Sequence, residues 1–452
     1  MEIMYRFVRR ALIGEKREES THDRMIFEKS QQLAREYDIT YDGTIVPDDE
    51  DLADSVFEAG LELLLMCGIY CIDTGRVIEL TEDEVIQGVK SIKTVEIGRG
   101  TEKVSVIDRD PMDARPPVIV GGPGGGLVSE KHFVGVHMSS IREIIVQGIY
   151  TGVLETLNGE RITVKTPMEM YATLQEARLV RYASRLSGRP GLAMMGPSTP
   201  TLSPSYMLVS EPNLFSEYDP QEVYLMNDLK VDFEAISKAI YHLMRGNHYI
   251  TSHCPVLGSA SIGSPEGLAI VDVAETIQAK ILMNSSMHGS GAVHINTNSS
   301  STKEVMWASN ISAIALSRNL EYYTAKYYWN SAGCCTDMMF YESAVQTIGD
   351  AVCGRDILIG PVGRAGRIPD HSTGIESRFV GEVSRLALDL SLSEANEVAE
   401  EIYSWYSDHL TTPPRGKQFS ECYELVSEIE FKPTKEYQEL YEYVFSKMKE
   451  II

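Results

Sequence analysis

The sequence predicts an α/β protein, a (β/α)8 TIM barrel with a mostly helical N-terminal extension. Three observations predict it. From Val118 onward, short apolar runs recur and end in Gly, Pro, Ser or Asn. Helical stretches follow most of them, the alternation that builds parallel strands with crossover helices. The chain has 452 residues, enough for one large core or two modest domains. Residues 1–115 form the expected extension and 116–452 the barrel. An open doubly wound sheet is the runner-up.

Each element has its own local reason. Thr21, His22 and Asp23 precede a helical pattern that runs to Tyr37. Pro47, Asp48, Asp49 and Glu50 cap a second helix, whose apolar face includes Leu52, Val56, Leu61 and Leu64. The apolar run 63–72 reads as a continuation of buried helix. Thr81 with Glu84 forms a capping box that opens a third helix. Residues 93–106 read as a hairpin turning at Gly98, Arg99 and Gly100. Seven barrel strands follow, at 118–120, 144–146, 192–195, 249–251, 293–295, 322–329 and 357–359. Helices are expected over 231–244, introduced by Asn227 and Asp228, and over 303–318 and 336–352. The eighth strand has no clear place in the pattern, before Arg115 or after it. No internal repeat or low-complexity tract is visible.

Composition excludes several classes. Apolar residues make up 43% and charged residues 23%, ordinary for a globular chain. The net charge of −24 repels phosphate backbones, so nucleic acid is not an expected partner. No run reaches the roughly 18–20 apolar residues of a membrane helix, and the N-terminus lacks the apolar core of a signal peptide. Seven cysteines at irregular spacing point to reduced thiols and a cytoplasmic location.

In a barrel, chemistry sits where strands give way to loops. The strand ends are small, polar and glycine-rich: Gly121 to Gly126, Met195-Gly196-Pro197-Ser198, Ser252-His253-Cys254, Asn330-Ser331 and Gly363-Arg364. Gly121 to Gly126 lacks the spacing of a dinucleotide fingerprint, and no P-loop is present. It reads as a tight turn that lets something bulky approach, or as plain loop geometry. His248 and His253, an odd number of residues apart, face opposite ways and share no metal. Cys67 and Cys71, four apart in an apolar run, read as buried thiols. Adjacent Cys334 and Cys335 suit a soft metal or redox chemistry, or more simply are plain thiols, and the absence of HExxH, CxxC and GxSxG leaves no standard zinc or hydrolase site. Tyr327 and Trp329 alternate onto one face. If that face is the interior, two rings line the mouth and attract alkylammonium groups; otherwise they are core packing. Arg364 and Arg367, beside Asp370 and His371, suit an anion, a partner's acidic surface or, most simply, a solvated loop.

Segments 62–74, Gly121-Gly122-Pro123, Val136-His137-Met138-Ser139, Gly188-Arg189-Pro190-Gly191, 270–274, 293–295, Ala332-Gly333 and 354–358, spread over nearly the whole chain, carry a resemblance to the monomethylamine:corrinoid methyltransferases of methylotrophic methanogens. The resemblance implies a barrel in a homo-oligomer, a hexamer by family analogy, acting in methylamine metabolism and methanogenesis. No cofactor is expected to be tightly bound; cobalamin arrives on a cognate corrinoid protein that docks over the barrel mouth. Gly122, Gly124, Gly363 and Arg364 are the expected contacts with that corrinoid.

The resemblance also exposes departures. The family's pyrrolysine position is Met195. Its catalytic glutamate falls on Ser252 or His253, and its active-site glutamine and tyrosine fall on Tyr327 and Trp329. A methionine cannot form the imine adduct through which pyrrolysine is thought to hold an amine. A quaternary ammonium or another activated methyl compound needs no such capture, because it departs as a neutral molecule. The expectation is therefore a pyrrolysine-independent methyl:corrinoid methyltransferase. Ser252, His253, Tyr327 and Trp329 are the candidate catalytic residues; Met195, Asn296, Tyr327 and Trp329 are the candidate substrate contacts. The alternative is a catalytically silent barrel that binds the corrinoid protein as a structural or regulatory partner.

Overall fold

A computed structural model describes residues 2–89, 94–198, 200–427 and 430–452. Eight parallel strands run Val118–Gly121, Gly148–Tyr150, Ala193–Met195, Gln221–Tyr224, Tyr249–His253, Met287–Ser290, Tyr323–Trp329 and Ile357–Val362. Taken as strands one to eight, each pairs with its chain neighbour, and the eighth returns to the first through Ile357 opposite Val118. Strands three and four meet at a single bridge, Gly196 to Gln221, which closes the barrel.

Alternation within the strands sorts the side chains. Val118, Val120, Tyr150, Met195, Ile250, Met287, Tyr327 and Ile359 pack inside. Ile119, Tyr328 and Leu358 face outward onto Val146 and Val380. Burial on both faces is the usual condition of parallel strands. A helix follows every strand: Phe133–Ile141, Pro167–Leu186, Ser203–Leu208, Phe233–Arg245, Pro265–Gln278, Lys303–Asn319, Asp337–Val352 and Gly374–Leu386. Side chains at their starts satisfy the first free N–H groups, as where Asp232 accepts from Ala235 and Thr336 from Met339.

The N-terminal helices are Glu2–Ile13, Glu19–Glu36 and Glu50–Cys67. The third packs on the helices after strands five and six. Gly60 permits that approach, since a Cβ there would lie 2.6 Å from Val273 Cγ1. The capping box on Thr81 and Glu84 forms as expected. The hairpin forms too, with Glu96–Ile97 paired to Val104–Ser105; Lys93 lies outside the described residues. Val95, Ile97 and Val106 join the inner cluster of the barrel. The turn donates from Gly98 to Tyr218 and from Arg99 to Gly191, in the loops that enter strands four and three. The hairpin thus closes the N-terminal end of the barrel.

Several expectations are corrected. The strand that the sequence left unplaced is strand four, Gln221–Tyr224, far beyond Arg115. Strand two is Gly148–Tyr150 rather than 144–146: Ile144 is 91% exposed, and Val146 packs outside. Strand six is Met287–Ser290; Val293–His294 instead pairs with Val256–Leu257 outside the barrel sheet. Buried helix ends at Cys67, where Gly68 at φ 65 breaks it, so Cys71 sits on the strand Ile69–Cys71. The helix expected over 231–244 starts at Phe233, capped by Asp232 and not by Asn227 or Asp228.

Candidate active site at the barrel mouth

The C-terminal ends of the strands surround a cavity of about 160 Å³. One carboxylate, Glu222, projects into it from strand four. Its Oε1 accepts a hydrogen bond from Ser252 Oγ at 2.5 Å and lies 3.2 Å from the Tyr327 hydroxyl. Its Oε2 accepts from Ser198 Oγ at 3.0 Å. These donors come from strand five, strand seven and the loop after strand three, so the carboxylate is fixed from three sides. Cis peptide bonds precede Pro197, just after strand three, and Pro361, within strand eight.

Aromatic rings form most of the remaining wall. Tyr150, Tyr224, Tyr327 and Trp329 line the cavity. Tyr150 meets Tyr327 edge to face at 5.4 Å, and Tyr327 stacks with Trp329 at 6.4 Å and 11°. Burial, reinforced by the charge of Glu222, holds both Tyr150 and Tyr327 well above the usual phenol range. They remain neutral donors at any ordinary pH. Burial likewise pushes the thiol of Cys254, also on the wall, up to about 12. Gly124 and Gly125 supply wall without side chains. The arrangement can hold a small cation, with rings on several sides and one carboxylate to balance its charge.

Of the candidate residues, the fold brings Ser252, Tyr327, Trp329 and Gly124 to this cavity. Met195 is fully buried in the inner cluster, paired with Tyr150 across the sheet, and is not on the lining. Gly122 sits at φ 100 in the turn, where a Cβ would come within 2.6 Å of the Tyr150 carbonyl. Gly363 is wedged between the carbonyls of His371 and Ala332, at 2.9 and 3.0 Å from where its Cβ would be. Asn296 and Arg364 meet at a second cavity beside the first.

His253 faces the other way, into the layer between strands and helices. Its Nε2 lies 2.8 Å from Glu275 Oε2 and 3.2 Å from Asp272 Oδ1. Its Nδ1 donates to His288 Nε2, and His288 Nδ1 is 2.9 Å from Thr251 Oγ1. Burial alone would lower the His253 pKa, but Glu275 and Asp272 outweigh it and raise it to about 9. His288 stays neutral, depressed by burial and by the charge of His253. Lys326, Asp350 and Arg355 extend the same buried layer. Among the described residues, no group of three or more His, Cys, Asp or Glu is placed to hold a metal, and no helix is long and apolar enough to cross a membrane.

Glu222 is the residue that the sequence reading missed, and with it Tyr150 and Ser198 as partners. The available signal was the gap between Met195 and Tyr249, which is too long for a single bare connection.

Fold and cavity together define an α/β barrel whose candidate ligand site lies at the C-terminal ends of its strands, where barrel enzymes carry theirs. The family model for monomethylamine methyltransferase MtmB matches residues 2–452. Monomethylamine methyltransferase MtmB2 of Methanosarcina acetivorans is 33% identical over 449 residues, covering 99% of this chain and 97% of its own. MtmB1 of Methanosarcina barkeri gives the same identity and coverage. Crystal structures of the Methanosarcina barkeri enzyme, MtmB, and of a hydroxylamine MtmB complex superpose with a TM-score of 0.95 at 33% identity, over 99% of this chain and 98% of theirs. The chain belongs to the MtmB monomethylamine methyltransferase family and is a methyltransferase.

Proposed function

We propose that this methyltransferase takes a methyl group from a small methylated cation, a quaternary amine or similarly activated compound in preference to monomethylamine, and passes it to a Co(I) corrinoid carried by a separate protein. The observation that carries this reading is a single carboxylate, Glu222, set among four aromatic rings at the open end of a barrel. Each ring face attracts a bound cation by about 0.5–2 kcal/mol. Glu222 balances the charge, with Ser252, Tyr327 and Ser198 keeping it in place. Charge pairing of this kind favours an alkylammonium over a neutral methoxy compound.

The leaving group supports the preference for a quaternary donor. When the C–N bond of a quaternary ammonium breaks, its electron pair returns to nitrogen and a neutral tertiary amine departs. Neutral monomethylamine would have to expel an amide anion, so its methyl leaves only once the nitrogen is protonated or captured, whereas a quaternary nitrogen carries its positive charge at every pH. Met195 offers no electrophile for such capture, and it is buried beside Tyr150 rather than on the cavity wall. The reaction therefore rests on orientation and on exclusion of water around the methyl group. A reduced corrinoid supplies the electron pair that accepts it.

Glycines at the mouth support the approach of such an acceptor. Gly124 and Gly125 leave the rim without side chains, and Gly122 and Gly363 allow tight turns behind it. Asn296 and Arg364 offer polar contacts on the far side. His253 acts in this reading by holding the end of strand five, and hence Ser252, in register.

The test is single-turnover methylation of reduced Co(I) corrinoid protein, or of free cob(I)alamin, followed by absorbance. Tetramethylammonium, choline, a sulfonium and monomethylamine are compared as donors. Transfer from the quaternary donors and not from monomethylamine is the expected result. Transfer from monomethylamine alone would overturn the donor preference, and no transfer from any donor would overturn the proposal.

A further inference from the structure

A second cavity, of about 140 Å³, lies at the same end of the barrel, walled by Asn296, Asn298, Ser331, Arg364, Arg367 and Thr411. No acidic side chain lines it. The chain is strongly acidic, at net charge −24, so two guanidinium groups turned toward a cavity without a carboxylate are out of keeping with the rest of the molecule. Arg364 Nη1 reaches only the carbonyls of Ser331 and Pro413, both at 3.4 Å. Its Nε is buried and has no hydrogen-bond partner. Arg367 Nη2 touches Asn298 Oδ1 at 2.5 Å. A buried donor left unsatisfied is costly, and a guanidinium fork matches an oxyanion in both charge and shape.

The backbone is also arranged for it. Arg364 and Ala365 both take left-handed conformations, at φ 55 and φ 50. That region is unfavourable for residues carrying a Cβ, and two in succession persist only where the surroundings hold them. Arg364 N donates to Ala332 and Ala365 N to Asn330, at 3.0 and 2.8 Å, which anchors the turn to the end of strand seven. The turn then passes directly against the first cavity, since a Cβ at Gly366 would lie 2.9 Å from Trp329 Cζ3.

We infer that the second cavity is an oxyanion subsite, with Arg364 as its half-buried anchor and Arg367 at its rim. It takes a carboxylate or a phosphate. Gly366 of its turn packs on Trp329 of the aromatic cavity, so two ligands present this chemistry: the carboxylate of a zwitterionic methyl donor, or a phosphate on the corrinoid brought to the mouth. The subsite stands on its own geometry; its assignment to donor or corrinoid rests on the methyl transfer proposed above.

Titration calorimetry of the full chain with inorganic phosphate tests the subsite without turnover. The wild type binds, Arg364→Gln weakens binding about tenfold or more, and Arg367→Gln by a smaller factor, as expected for loss of charge-assisted hydrogen bonds. Arg367 is exposed, so its variant reports even if Arg364→Gln folds poorly. Phenylglyoxal labelling of the wild type, read by mass spectrometry, should show phosphate protecting both arginines. No phosphate binding, or binding and protection unaffected by either substitution, would overturn the site. Two pairs of reactants then identify the source. A raised KM in the variants for glycine betaine but not tetramethylammonium assigns the site to the donor. A raised KM for cob(I)alamin but not for cob(I)inamide, which lacks the nucleotide phosphate, assigns it to the corrinoid. Phosphate binding without methyl transfer would leave the subsite standing and remove the proposed function.

Discussion

Ser252 and His253 are neighbours on strand five, yet they belong to different chemical environments. Ser252 points inward and donates to Glu222 in an open, aromatic-walled cavity. His253 points outward into a closed layer where His253, Lys326 and Arg355 face Asp272, Glu275 and Asp350. The inner group holds one carboxylate with room beside it for a ligand's positive charge. The outer group already has its counterions and leaves no such room. A single step along a strand therefore separates an open cavity wall from a closed layer of paired charges.

The sharpest way to break this division is at the outer layer. His253→Leu should destabilise the fold by about 3–5 kcal/mol, because it leaves Glu275 buried without its cation and Asp272 with Arg355 alone. Urea denaturation reads the loss, and KM of the surviving folded fraction should stay unchanged. A stable variant with no activity would instead place His253 in the chemistry. Next in size, Glu222→Gln should lower kcat/KM about 100- to 1000-fold, the scale for removing one positioned charge from an active site. Its unfolding midpoint should stay within about 3 °C of the wild type, a shift typical of less than a few kcal/mol. Trp329→Ala should raise KM for a quaternary donor about tenfold, from the loss of one cation–π face, with a smaller change in kcat. Equal loss for a neutral methoxy donor would show that the ring only fills space.

A pH profile gives the smallest and most selective test. The His253 pKa is raised from 6.5 to about 9 in the folded protein. Its contribution to stability is therefore complete below about 6.5 and is lost as the pH rises through about 9. The thermal midpoint of the wild type should fall across that interval, and that of His253→Leu should fall less. Equal slopes would mean that His253 does not carry the charge of the layer.

The same division explains which parts were legible in the sequence. Strands such as Ala193–Met195 and Ile357–Val362 are apolar on both faces and stand out as runs. Gln221–Tyr224 opens on Gln221 and Glu222, and Met287–Ser290 carries His288 and Ser290; neither reads as a buried strand. Polar residues break the hydrophobic signal where the barrel is used for binding or for buried charge pairing. Tyr327 and Trp329 were readable as a pair because alternation alone puts them on one face. Glu222 was not, since its partners Ser252, Tyr327 and Ser198 lie on three other segments and meet it only after the barrel closes through Gly196 and Gln221.

The hairpin around Ile97 has a consequence for the order of events. With the N-terminal end of the barrel filled by Val95, Ile97 and Val106, the described residues leave the C-terminal ends of the strands as the cavity's doorway. An acceptor large enough to cover that doorway would shut the donor in or keep it out. Kinetics should then be ordered, with the donor entering before the acceptor docks and the demethylated product waiting until the acceptor leaves.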